Sequence, residues 1–213
     1  MKRPLKEILS EMSTNEKIKY IWEYYKYYII GFIVLVIFVV YTVYSVANKK
    51  EDILNIVMIT DYANPEQVEE VKENIYQNLL TEEEKESSNI IIQTLRLKSE
   101  DMQAGVEMQK LAAQLSAGDI DFFIADQEYF DQMNQDGQLL PFNELEGTSE
   151  LNLPEDQLVS GNDNGVTGIK INSNSIFDGL IQKDEEKILF TPINVQNKEI
   201  IARFVEYYID NEQ

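Results

Sequence analysis

The chain has 213 residues, a net charge of -20, and neither cysteine nor histidine. The missing thiols exclude disulfides, thiolate metal sites and a lipid-modified cysteine, and the missing imidazoles remove Ser-His-Asp and Cys-His nucleophiles and most zinc chemistry. An acidic balance this large also disfavours nucleic acid and anionic lipid head groups as partners.

The charge is unevenly spread. Residues 1–50 carry eight Lys and Arg against four Glu, a balance of +4, while the rest carry 10 basic against 34 acidic residues, a balance of -24. Leu5, Ile8, Leu9 and Met12 stand at i, i+3, i+4 and i+7, the spacing of a short amphipathic helix, with Lys2, Arg3 and Lys6 beside it. Ser13 and Glu16 have capping-box spacing, which predicts a second helix from about Thr14.

That helix runs without a breaker into Tyr27–Val46, YYIIGFIVLVIFVVYTVYSV, which carries no charge. At about 1.5 Å per residue this stretch matches a hydrocarbon core of roughly 30 Å, and the Trp22 and Tyr cluster before it suits the head-group layer. Basic residues concentrate on the amino-terminal side, so the expected arrangement has that end in the cytoplasm. Ser45 and Ala47 have signal-peptidase spacing, but the apolar run exceeds the usual 7–15 residues of about that region, so a retained anchor is expected. The resulting layout is a cytoplasmic basic and amphipathic segment (residues 1–26), a transmembrane helix (27–47) and an extracytoplasmic α/β domain (51–213).

After Lys50 short apolar runs alternate with amphipathic stretches. Ile53 to Thr60 is a buried strand by its β-branched content. Asn64 as N-cap and Pro65 at the first helical position then open a helix with Val68, Val71, Ile75 and Leu79 on its inner face. TEEEKESS, residues 81–88, reads as a charged loop. A second strand over Ile90–Leu97 precedes a helix capped by Ser99, with Met108, Leu111, Ala112 and Leu115 facing inward and Gly118 as its stop. A third strand over Asp119–Ala125 leads to a short helix that Asp126 caps and Gly137 ends. This βαβαβα order predicts an α/β fold on a parallel sheet. Gln157–Ser160 and Val166–Asn172 read as an added hairpin turning at Asn164-Gly165.

Two runs carry a family resemblance: Ala117-Gly118-Asp119-Ile120-Asp121-Phe122-Phe123-Ile124-Ala125-Asp126 and Gly137-Gln138-Leu139-Leu140-Pro141-Phe142-Asn143-Glu144-Leu145. They resemble extracellular solute-binding proteins of ABC importers, in which a G-D-x-D strand leads to a helix and then a G-x-L-x-P-L approach. Asn197-Lys198-Glu199 with Ala202, Phe204, Val205, Glu206 and Tyr207 is similar to that family's C-terminal helix. The lead-in EKIKYIWEYYKYYI resembles anchors of membrane-bound proteins from Gram-positive anaerobes that carry such domains. The likeness covers residues 53–145 and 186–210 and implies a Rossmann-like, periplasmic-binding-protein-like lobe. The 163 residues after Lys50 are too few for two lobes, which together take about 200–300. A closing cleft between lobes is therefore not implied.

Ligands of open parallel sheets bind beyond the carboxyl ends of the strands, which makes Asp61, Tyr62, Asp126 and Gln127 the candidate ligand-binding residues. No catalytic, cofactor or metal residue is expected. Asp119 and Asp121 sit at a strand's start and Asp126 at its far end, so they do not converge as a catalytic pair. The GNDNG run leaves Ile171 where a calcium loop needs a bidentate acid. The expected function is non-catalytic binding or sensing at the outer membrane face, with a small-molecule ligand, the lipid bilayer and a membrane protein such as a transporter as partners, and no nucleic acid. The alternative is a structural subunit of an envelope or transporter complex without a ligand.

Overall fold

The computed structural model describes residues 13–47, 49–61, 63–96, 102–145, 151, 153–161, 165–171, 175–181 and 185–212. The amphipathic segment at residues 4–12, Tyr62, Ser99 and Asn164 lie outside these. The chain forms two compact units, residues 1–49 and 50–213.

The first unit is dominated by one helix, α1 (Thr14–Ala47). It begins where the capping box requires: the Glu16 carboxylate accepts from both the Ser13 N–H and the Ser13 hydroxyl, at 2.9 and 2.8 Å. Its apolar side chains from Phe32 to Val46 are exposed, and the helix is long and apolar enough to cross a membrane.

The second unit contains β1 (Glu51–Ile59), α2 (Pro65–Leu79), α3 (Glu82–Ser87), β2 (Ser88–Leu95), α4 (Met102–Ala117), β3 (Phe122–Ala125) and α5 (Gln127–Gln135). A single 3-10 turn (Phe142–Glu144), β4 (Leu158–Ser160), β5 (Val166–Ile171), β6 (Lys187–Phe190) and α6 (Lys198–Asn211) complete it. The six strands form one sheet in the order β2-β1-β3-β6-β5-β4. β1 pairs in parallel with β2 and β3, but β6 runs antiparallel to both β3 and β5, and β4 antiparallel to β5. The fold is thus α/β on a mixed sheet, which corrects the expectation of a parallel one. The hairpin is a structural part of that sheet, joined through β6, a four-residue strand too short to show a period.

Both faces of the sheet are covered because successive residues of the central strands β1 and β3 are apolar and point alternately to the two faces. Leu54, Ile56 and Met58 of β1 point to the face roofed by α2 and α6, where Val71, Ile75, Phe204, Val205 and Tyr208 pack. Val57 and Ile59 point to the other face, with Leu111 of α4 and Phe130 and Met133 of α5. Gly168 permits the second packing: a Cβ there would stand 2.7 Å from Ile188 Cγ2 and 2.8 Å from Phe130 Cε2.

Local signals succeed where they concern caps. Asn64 accepts from Glu66 N–H and Asp126 from Tyr129 N–H, while Gly118 and Gly137 take φ of +72° and +64°; Asn197, not read as a cap from the sequence, accepts from Ile200 N–H. The charged stretch after Leu80 differs from expectation. It is helical because Thr81 and Glu84 form a complete capping box at its start. On α4, Leu111 is buried and Leu115 half-buried, but Met108 and Ala112 are exposed.

Candidate functional site

Parallel pairing of β1 and β3 brings their carboxyl ends side by side, and the reversed β6 starts at the same edge. The three ends frame a cleft of about 430 Å³. Asp61 follows β1 and is exposed; Asp126 follows β3 and is half-buried, with its Oδ1 accepting from Tyr129 N–H at 3.0 Å. Both line the cleft. Gln127 does not; it is exposed on α5 and donates to Asp131 Oδ1 at 2.7 Å. Tyr62 lies outside the described residues.

Glu128, Gln132 and Glu186 also line it, and three further lining groups that the sequence reading did not single out stand out chemically. Lys187, the first residue of β6, is 5% exposed and donates from Nζ to the Ile59 carbonyl at 3.0 Å, with Glu185 Oε2 at 3.7 Å. That lysine therefore ties β6 to the end of β1 while facing the cleft. Tyr129 lies against Phe123 and Phe190, ring centroids 5.6 and 6.4 Å away, and burial pushes its hydroxyl pKa above the usual value. Glu185 is the third of them. A lysine opening the apolar run KILF was the one signal available, and it gives no hint of which strand it meets.

A second cleft, of about 500 Å³, lies at the opposite, amino-terminal end of β1 and β3. Here Asp121 and Asn55 exchange two bonds: Asn55 N–H donates to Asp121 Oδ2 at 2.7 Å, and Asp121 N–H to the Asn55 carbonyl at 2.9 Å. The Asn55 amide continues the network, donating to the Asp119 carbonyl at 2.6 Å and accepting from Gln93 Nε2 at 2.9 Å. Burial raises the Asp121 pKa to about 6, the Asn55 N–H opposing this and the Asp119 charge adding to it. Asp119 and Asp121 are together in this cleft, with Asp126 at the other end of the strand.

Comparison with protein-family models, with curated proteins and with solved structures returns no match. The chemistry of the two clefts therefore carries the functional argument.

Proposed function

We propose that this protein is a membrane-anchored, extracytoplasmic binding or sensing module. In this reading α1 is a retained single-pass anchor with its amino end in the cytoplasm. The globular unit is a reduced single lobe similar to that of a solute-binding protein and acts without catalysis. It takes a small molecule and passes the event to a membrane partner such as a transporter. The observation that carries it is the cleft at the carboxyl ends of β1 and β3, where Asp61, Asp126, Tyr129 and the buried Lys187 combine charge, hydrogen-bonding groups and a ring. A volume of about 430 Å³ suits a small organic ligand.

A thermal-shift screen of the detergent-solubilised chain against sugars, amino acids, peptides and metal ions tests the reading. A saturable rise in melting temperature that Lys187→Met abolishes is the expected result. Uniform silence, with membrane proteins co-purifying, would replace it with the structural-subunit reading.

A further inference from the structure

The cleft at the carboxyl ends of β1 and β3 sets one buried ammonium, that of Lys187, among the carboxylates of Asp61, Asp126, Glu128, Glu185 and Glu186. We propose that its ligand is a basic α-amino acid, whose carboxylate meets Lys187 and whose two positive groups meet the acidic lining. This names the ligand class of the binding module proposed above and rests on that reading.

Lys187 is 5% exposed, so water reaches little of its ammonium. An ammonium has three N–H donors. One goes to the Ile59 carbonyl at 3.0 Å, and among the described residues no other acceptor stands within hydrogen-bond reach, Glu185 Oε2 lying 3.7 Å away. A charge taken out of water with donors unused is costly, and an acceptor arriving with a ligand would offset that cost. Glu185 Oε2 has the complementary need: the atom is buried, and among the described residues no hydrogen-bond donor reaches it. The two groups are close enough, at 3.7 Å, to be met by two substituents of one carbon atom. A carboxylate for Lys187 and an ammonium for Glu185 on one carbon is the head of an α-amino acid.

Charge decides the other end of the ligand. Five carboxylates against one ammonium leave a formal excess of four negative charges among the lining residues. A simple carboxylate would enter against that field, and a simple polyamine would face the Lys187 donors with another cation. A side chain carrying a second positive group satisfies both conditions and is favoured over a neutral zwitterion. Ile59 and the Tyr129 ring also border the cleft and suit the methylene chain between the two ends. The volume of about 430 Å³ takes a molecule of this size, and among the described residues no group of three or more His, Cys, Asp or Glu side chains converges to hold a metal instead.

Calorimetric titration of the detergent-solubilised full chain with L-arginine tests the proposal. Agmatine, which lacks the carboxylate, and L-citrulline, which lacks the side-chain charge, are the comparisons. The expected result is saturable arginine binding, with agmatine and citrulline each weaker by about tenfold or more. Lys187→Met should bring arginine down to the affinity of agmatine, because nothing then recognises the carboxylate. Asp61→Asn, at an exposed position, should weaken arginine by about threefold or more and narrow its advantage over citrulline, and it serves if Lys187→Met does not fold. No saturable heat with arginine, agmatine or citrulline binding as tightly as arginine, or arginine binding unchanged in both variants would each overturn the proposal. A thermal shift by another class of ligand that Lys187→Met removes, with no heat from arginine, would overturn the ligand class and leave the binding-module reading standing. Silence to every ligand would remove both.

Discussion

Arg203 of α6 grips Glu84 of α3 through both ends of its guanidinium, Nη1 to Oε1 at 2.7 Å and Nη2 to Oε2 at 3.1 Å, and Nη2 also donates to the Leu79 carbonyl at 2.7 Å. One side chain thereby closes the end of α2 and anchors the start of α3 against the C-terminal helix. Glu84 simultaneously completes the capping box with Thr81.

This clamp gives an acid-sensitive term. The Arg203 guanidinium, together with the Thr81 N–H, lowers the Glu84 pKa from 4.5 to about 2. A depressed carboxylate pKa contributes stability that is full above 4.5 and is lost as pH falls towards 2. Arg203→Met should cost about 1–2 kcal/mol at neutral pH, the modest end because both side chains keep partial solvent contact. Urea unfolding should show the gap between variant and parent closing below about pH 4.

Asp121 works with the opposite sign. Its pKa rises from 3.8 unfolded to about 6 folded, so the folded state holds the proton more tightly and stability falls as pH rises between these values. Asp121→Asn should therefore raise stability at pH 8 by about 1–3 kcal/mol, and by little at pH 3.5, provided the new amide oxygen still accepts from Asn55. Denaturation of both chains at the two pH values checks this.

Core packing predicts a larger loss. Phe204 is fully buried, with its ring 4.7 Å from that of Phe122 and 6.4 Å from that of Phe177. Phe204→Ala should destabilise by about 3–5 kcal/mol and is measured by the shift in denaturation midpoint at unchanged slope.

Gly118 tests the turn that leads into Asp119 and Asp121. Its φ of +72° disfavours any side chain, and a Cβ would lie 2.5 Å from the Asn194 carbonyl oxygen. Gly118→Ala should cost about 1–3 kcal/mol, read as a lower denaturation midpoint.

The anchor reading predicts that the protein stays with membranes through an alkaline wash. Protease added to intact cells should digest the acidic unit and spare the amino end. Protection of the acidic unit with clipping at the amino end would reverse the proposed orientation.

What the sequence determined by itself was local. An uncharged run from Tyr27 to Val46 defines a long apolar helix whatever surrounds it, and Asn64, Asp126 and Gly118 mark helix ends because a cap needs only its neighbours along the chain. The same locality made α3 legible in principle, through Thr81 and Glu84. Strand direction was not local. The residues of β6 suit either orientation, and only the packing of Phe190 between Phe123 and Phe130 and the bond from Lys187 to Ile59 accompany the antiparallel course that makes the sheet mixed. The sites divide in the same way. Asp61 and Asp126 follow from knowing where strands end, whereas Lys187, 128 positions from its partner, and the exchange between Asn55 and Asp121 arise only when distant segments meet. Contacts of that kind depend on three-dimensional neighbours, which no pattern along one stretch of chain encodes.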